Sequence, residues 1–259
     1  MDNNQTTSHQ LSPRKLLWGI FVHPTQTFTY LKDMGKRTYW ITAILIIILS
    51  VAPLISERSL SHQVTVSDIS EGFNSKAPYA DPMMINPDSA SQTFSPIGPS
   101  IFKIVGMIPG TILTWFIWAG GLHLASVFLG HSNSFKQMLK LTIWAWIPYA
   151  FRGIVQTLYI LVTRTSITNP GLSGFIIDKG SQQLIPPGPG KLALASALGH
   201  IDVFQIWAVL LLSTGLTLFT GIPQKKARIT IFIIWALLIV VSMIIAMIGG
   251  MFGQITTMF

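Results

Sequence analysis

The sequence predicts an all-α, multi-pass membrane protein with five transmembrane helices and short interfacial helices ahead of them. Half of its 259 residues are hydrophobic and only 10% are charged, whereas about a quarter of the residues in soluble domains are charged. Five apolar stretches are long enough to cross a hydrocarbon core about 30 Å thick. Basic residues cluster in the short segments on one side of these stretches, which is typical of cytoplasmic loops.

The composition and the absence of motifs exclude several function classes. The chain has no cysteine, which excludes disulfides, thiolate catalysis and cysteine-based metal sites. It contains no His-Glu-x-x-His motif, no paired intramembrane aspartates, no phosphate-binding loop and no serine elbow. We therefore expect no enzymatic activity, no cofactor and no metal site. The net charge of +8 does not indicate nucleic-acid binding, because the topology of the spans accounts for it.

The chain ahead of the first span divides into two parts. Residues 1–12 are polar and are predicted to be disordered, and residues 13–38 alternate basic and apolar side chains. Pro24 suits the first turn of a second short helix. We interpret 13–38 as cytoplasmic helices that lie in the headgroup plane, and the alternative is an ordinary juxtamembrane linker. Apolar residues at helical spacing support the helices: Leu16, Leu17, Ile20 and Phe21.

The five spans form one membrane domain over residues 39–252. Pro109 should kink the second span, and four glycines in that span predict close backbone contact with a neighbouring helix: Gly106, Gly110, Gly120 and Gly121. The five spans are predicted at 39–55, 102–129, 141–163, 203–221 and 229–248.

Two long outer loops are predicted, at 56–101 and 164–201. They are rich in serine, proline and glycine. Within them we expect a short strand at 62–69 and a short helix at 191–198.

The charge distribution predicts the orientation. Ten basic and two acidic residues lie on the side of the short segments, and six basic and seven acidic residues lie on the side of the long loops. The N-terminus is therefore expected inside and the C-terminus outside, in the plasma membrane if the protein is prokaryotic. Lys225, Lys226 and Arg228 are predicted to anchor this topology and to attract anionic lipid headgroups.

Arg152 is the most costly residue in the chain, because insertion scales assign about 2.5 to 3.5 kcal/mol to a charge near the midplane. Three interpretations remain open. Arg152 lines a polar path or ligand pocket, or it pairs with Asp202 and helix carbonyls, or it snorkels to the inner interface if the span starts at Pro148. Polar residues spaced by three and four place it in one stripe: Tyr149, Arg152, Gln156, Tyr159 and Thr163.

Two further positions complete the candidate intramembrane cluster. His123 lies on a face of small residues, and its imidazole is expected to hydrogen-bond a neighbour. Asp202 follows Gly199 and precedes a long uncharged stretch, so it is predicted to cap the fourth span, with Gln205 as its capping-box partner. His200 and Asp202 together are too few ligands to predict a metal site.

Residues 201–215, IDVFQIWAVLLLSTG, resemble the Asp-x-Phe-x-x-Trp-x-x-x-Leu entrance of the fourth span in prokaryotic members of the Yip family. His23-Pro24 with Phe28, the segment 134–148, and residues 225–227 followed by Trp235 resemble further landmarks of that family, in the same order. The resemblance covers residues 13–250. It implies five spans, a cytoplasmic N-terminus and an extracytoplasmic C-terminus.

The resemblance also bears on function. Eukaryotic Yip relatives act in vesicle traffic, through GTPases and partner membrane proteins. Here only 38 residues precede the first span, and the third span lacks the glycine and tyrosine motif of those relatives, which counts against GTPase binding. We expect a scaffold that organises membrane-protein partners or copies of itself, or that shapes the bilayer. The alternative is a small-solute or ion channel or transporter that uses the polar stripe.

Overall fold

A computed structural model of the chain is built from α-helices. In the part that it describes, the chain forms nine α-helices and one short 3-10 helix, without a strand. Five helical segments there are long and apolar enough to cross a membrane, and the predicted all-α, multi-pass class is confirmed. The predicted strand at 62–69 and residues 1–12 lie outside the described residues, which are 13–33, 39–57, 97–131, 133–165, 167, 171–176 and 188–256.

The two N-terminal helices, α1 (Pro13–Val22) and α2 (Pro24–Asp33), pack closely on each other. A Cβ on Gly19 would lie 2.6 Å from the hydroxyl oxygen of Thr27, so only glycine leaves room for this contact. Four of their apolar side chains are fully buried in the core, against other helices: Leu16, Ile20, Phe28 and Leu31.

The first two spans are α3 (Tyr39–Glu57) and α4 (Ile97–Phe128). Pro109 lies inside α4 and does not end it. The α4 glycines do not provide the predicted close contact, and that prediction was wrong. A Cβ would meet nothing within 4 Å at three of them, Gly106, Gly110 and Gly120, and would be in ordinary contact with Ile234 at Gly121.

The close helix contact occurs instead between the first and third spans. A Cβ on Gly153 would overlap the backbone carbonyl of Leu49 in α3. Because a backbone carbonyl cannot rotate away as a side chain can, this contact depends on glycine.

The third span is broken into α5 (Phe135–Ala145) and α6 (Ile147–Thr163). Trp146 separates the two helices, and Pro148, which has no N–H to donate, occupies the first turn of α6. α5 begins at Phe135 rather than at the predicted residue 141. A complete capping box explains the earlier start: the Ser134 hydroxyl accepts from the Gln137 N–H, and the Gln137 side chain accepts from the Ser134 N–H.

The last three helices are α7 (Pro189–Gly199), α8 (Val203–Thr220) and α9 (Gln224–Thr256). α8 ends at Gly221, whose φ of 79° lies in the left-handed region that glycine tolerates. α7 runs antiparallel to the second half of α9. Its start lies beside Gly250, and its Ser196 hydroxyl is 3.3 Å from that of Ser242.

The core is densest near one end of the bundle, which we call the basic end because Lys136, Lys225, Lys226 and Arg228 lie there. Gly215 of α8 lies directly against Leu141, and a Cβ on it would also be 3.4 Å from the Phe28 ring. The α1–α2 pair therefore closes this end of the membrane domain. Fully buried side chains surround the contact: Phe28, Leu31, Met138, Leu141, Leu212, Leu216 and Ile231.

Candidate functional site

Arg152 and Asp202 form an ion pair between α6 and the start of α8. The Arg152 Nη1 atom is 2.7 Å from Asp202 Oδ2, and the two side chains are only 19% and 12% exposed. A short, mostly buried pair of this kind neutralises a charge that would otherwise be costly in a membrane. The structure thus places together two residues that the sequence suggested as partners.

Asp202 is held in place by the local chain as well as by Arg152. It is the N-cap residue of α8, and its Oδ1 accepts the Gln205 N–H at 2.8 Å. The chain just before Asp202 is also closely packed, because a Cβ on Gly171, in the 3-10 helix Gly171–Phe175, would lie 2.9 to 3.1 Å from three of its carbonyl oxygens. One carboxylate therefore caps a helix with one oxygen and binds a guanidinium with the other.

The pair lies well inside the apolar part of the bundle. Asp202 precedes the 18 residues of α8, and at 1.5 Å per residue it is about 27 Å from the turn at the basic end. At that level α9 continues beyond Ser242 with exposed apolar residues through Met251. No snorkelling to the basic end is possible at this distance.

The side chain of Gln205 does not close a capping box with Asp202. Its Oε1 instead accepts a hydrogen bond from the Tyr149 hydroxyl, so the Gln205 side chain joins α8 to α6. Tyr149 also stacks on Trp146, with ring centroids 5.5 Å apart and an interplanar angle of 11°. The Arg152 guanidinium lies 5.8 Å from the Tyr149 ring centroid, within the range of a cation–π contact.

These polar groups border a cavity of about 700 Å³, which is within the usual range for ligand pockets. The cavity lies between α3, α4, α6, α9 and the α7–α8 junction. Its wall includes three of the predicted stripe residues and His200. The principal lining residues are Ser50, Gly110, Thr114, Tyr149, Arg152, Gln156, His200, Gln205, Trp235 and Ser242.

Two tryptophans line the cavity on the side of the basic end. There Trp118 and Trp146 meet edge to face, with centroids 5.6 Å apart, and the packed core lies below them. α4 and α9 touch at Gly121 and Ile234, and farther from the basic end they flank the cavity on opposite sides. Among the described residues, aromatic rings therefore form the cavity wall on the side of the basic end.

Three residues of the predicted stripe and cluster lie apart from this cavity: Tyr159, Thr163 and His123. Tyr159 is half exposed on α6 and does not line it. His123 packs edge-on against Phe135, with centroids 6.3 Å apart. Its Nδ1 is buried without a hydrogen-bond partner among the described residues, so the hydrogen bond predicted for His123 does not form at this nitrogen.

Other parts of the site escaped the sequence argument. The sequence gives no sign that three tryptophans line one cavity, because their proximity depends on how the helices cross: Trp118, Trp146 and Trp235. The three basic anchors, Lys225, Lys226 and Arg228, lie exposed in the first turns of α9. Within the described ranges no group of three His, Asp or Glu side chains is arranged to hold a metal ion.

The fold and the paired charge define a multi-pass, all-α membrane protein with a polar site among its spans. Residues 18–246 match the Yip1 domain family, so the chain belongs to that family, and the resemblance predicted from the sequence is confirmed. The chain is also similar to Membrane protein YknW of Bacillus subtilis (strain 168), with 29% identity over 154 residues. That match covers 58% of this chain and 61% of YknW, less than two thirds of its length. No solved structure matches the chain.

Residues 201–215, which carried the resemblance, contact two other parts of the bundle, the third span and α1. Phe204 lies 6.2 Å from Phe151 between ring centroids, and Trp207 lies 4.8 Å from Phe21 in a T-shaped pair. Asp202, two residues ahead of Phe204, binds Arg152. The start of α8 therefore joins the third span and the N-terminal helices to one another.

Proposed function

We propose that this protein is a non-enzymatic membrane scaffold whose last helix is available to neighbouring membrane proteins. The observation that carries this proposal is the exposure of α9. Its span, Gln224–Met251, has a mean hydropathy of 3.1, yet only 6% of its apolar stretch is buried, against 22% to 44% in the other four spans. A helix that leaves so many of its own apolar side chains exposed can associate with other chains through packing in the bilayer.

The basic end supports the same proposal. Lys225, Lys226 and Arg228 are exposed at the start of α9, and each charge near an anionic surface contributes about 1 kcal/mol of attraction. If the basic end faces the cytoplasm, as the charge distribution predicts, these residues hold α9 at the inner leaflet. The scaffold would then present α9 at a defined depth and orientation.

Photocrosslinking in intact membranes tests the scaffold. Benzoylphenylalanine at Leu237 on α9 is expected to crosslink to a discrete protein, which is either a partner or a second copy of this chain. The matched control is Leu158 on α6, which is exposed to a similar extent, 57% against 60%, and is expected to yield lipid adducts. Lipid adducts alone at Leu237, as at Leu158, would contradict the proposal.

Transport is a second candidate, because Tyr149, Arg152 and Gln156 all line the cavity. It requires a path from this cavity to the basic end, where Trp118 and Trp146 now meet. Purified protein in liposomes is expected to hold ion and small-solute gradients as tightly as empty liposomes do. A leak that Gly110→Phe abolishes would favour transport over the scaffold, because this substitution fills the cavity.

A further inference from the structure

The Arg152 guanidinium has hydrogen-bond donors to spare. It carries five N–H groups, and in the described residues its partners are Asp202 Oδ2 and the face of the Tyr149 ring. Asp202 meets the guanidinium at Nη1 through Oδ2, and its Oδ1 accepts the Gln205 N–H, so donors of Arg152 remain for a ligand. Arg152 lines the cavity whereas Asp202 does not, so the cavity wall presents the hydrogen-bond donors of the ion pair.

His200 adds a second polar group to the same wall. Its Nδ1 is 2.8 Å from the Ser196 carbonyl oxygen, and a carbonyl only accepts hydrogen bonds, so Nδ1 carries the proton. Nε2 is then the nitrogen that remains for a ligand, and it accepts a hydrogen bond when the ring is neutral. A ligand with both an anionic group and a hydroxyl or amine fits this pair.

Trp235 provides an independent observation. Its indole Nε1 is buried and has no hydrogen-bond partner among the described residues, and its side chain lines the cavity. A buried donor without an acceptor is costly. Because the Trp235 ring forms part of the cavity wall, a small rotation of the ring would bring this donor to an oxygen atom of a bound ligand.

The cavity is continuous with the lipid-exposed surface of the bundle. Gly110, Val241 and Ile245 line it, and all three are exposed on the outside of α4 or α9. Gly110 has nothing within 4 Å of its Cβ position, so no side chain obstructs the gap on the α4 side. The cavity therefore opens between α4 and α9, onto a surface with exposed apolar side chains.

We propose that the cavity binds one phospholipid, with its phosphate at Arg152, its polar headgroup near His200 and its acyl chains leaving between α4 and α9. The guanidinium fork suits a phosphodiester, which accepts two parallel hydrogen bonds. The headgroup fits within 700 Å³, and the acyl chains remain in contact with lipid. This site does not depend on the scaffold role proposed for α9.

Native mass spectrometry of the purified full-length protein tests the site. The probes are phosphatidylglycerol and a diacylglycerol with the same acyl chains. The wild-type protein is expected to retain one phosphatidylglycerol and to prefer it over diacylglycerol by on the order of tenfold, because the charge-assisted hydrogen bonds need the phosphate. Equal retention of the two lipids, or of neither, would overturn the proposal.

Two glycine variants on one helix show where the lipid binds. Gly110→Phe fills the cavity and is expected to reduce the retained lipid by on the order of tenfold, whereas Gly120→Phe is expected to leave it unchanged. Both positions have open space around the Cβ, and only Gly110 lines the cavity. An equal loss in both variants would overturn the location. A dimer without lipid in the wild-type protein, lost in Gly110→Phe, would assign the cleft to a second copy instead.

A double substitution that leaves the net charge unchanged tests the phosphate contact independently of the shape of the cavity. Arg152→Gln with Asp202→Asn removes both charges together and keeps an asparagine cap on α8. This variant is expected to bind both lipids but to lose the preference for phosphatidylglycerol. An unchanged preference would contradict the role of Arg152, even if Gly110→Phe fails to fold.

Discussion

α8 passes through both halves of the bundle, and its two ends have different surroundings. Six of the nine residues from Leu211 to Phe219 are buried, among α2, α5 and α9. Near Asp202 and Gln205 the same helix borders a cavity. One half of the membrane domain is thus filled by side chains, and the other half is held open around a few polar bonds.

This difference indicates how each half is stabilised. Near the basic end, Phe28, Leu141 and Gly215 interlock, and any loss of volume leaves a void. In the cavity half, the Arg152–Asp202 pair and the Tyr149–Gln205 hydrogen bond connect α6 to the start of α8. Close packing of side chains stabilises the half near the basic end. The other half contains a cavity that a ligand can occupy.

The largest expected effect is the loss of one partner of the ion pair. Arg152→Leu leaves Asp202 unpaired in an apolar region and is expected to lower the free energy of unfolding by about 3 to 5 kcal/mol. Equilibrium unfolding in mixed micelles measures this change. The control Arg152→Leu with Asp202→Asn should recover most of the loss, because no charge then remains buried, and a double variant as unstable as the single one would contradict the pairing.

Phe28→Ala tests the packed half. The substitution removes a fully buried ring at the α2–α8 contact, and we expect a loss of about 3 kcal/mol, at the low end for Phe→Ala in a core. The comparison is Ile245→Ala, which removes an exposed side chain that lines the cavity, with a change within about 0.5 kcal/mol. Similar losses in the two variants would remove the distinction between the halves.

Gly153→Ala tests the contact between the first and third spans. The added methyl group would overlap the Leu49 carbonyl, so α3 must move, at a cost of about 1 to 3 kcal/mol for overpacking. Gly120→Ala adds the same methyl group where the Cβ has open space, and is expected to be neutral or slightly stabilising. Thermal unfolding is measured for both variants. An unfolding temperature of Gly153→Ala equal to that of the wild type would contradict the close contact with Leu49.

The smallest effect is expected for Tyr149→Phe. It removes the hydroxyl that donates to Gln205 and keeps the ring stacked on Trp146, so the loss should be near 1 kcal/mol, about the net value of one hydrogen bond. The Gln205 amide still borders the cavity, where water can satisfy it. A loss as large as that of Arg152→Leu would mean that the hydrogen bond, and not the ion pair, holds α6 to α8.

The spans were predictable from the sequence because length and hydropathy are local properties of the chain. The proximity of Arg152 and Asp202 was one of three open interpretations, since a buried charge needs a partner but spacing does not name it. The Ser134–Gln137 capping box was readable in the sequence and would have moved the start of the third span to Phe135.

Glycine contacts could not be predicted in the same way. The sequence pointed to Gly110 and Gly120 on α4, whereas the close contact occurs at Gly153, which no glycine-rich pattern marks. Whether a glycine is needed depends on the helix that lies opposite it, and that helix is determined by the fold as a whole. The cavity escaped prediction for the same reason, because it forms where five separate segments diverge.

The central claim is that the polar cavity has no aqueous path to the basic end. Single cysteines at Gln156 and Ser242, both lining the cavity, test it in membranes with impermeant thiol reagents applied from each side. The chain has no cysteine of its own, so the background is zero, and Trp18, exposed on α1, serves as a positive control when replaced by cysteine. We predict that reagent at the basic end labels only position 18, and labelling of position 156 or 242 from that end would contradict the account.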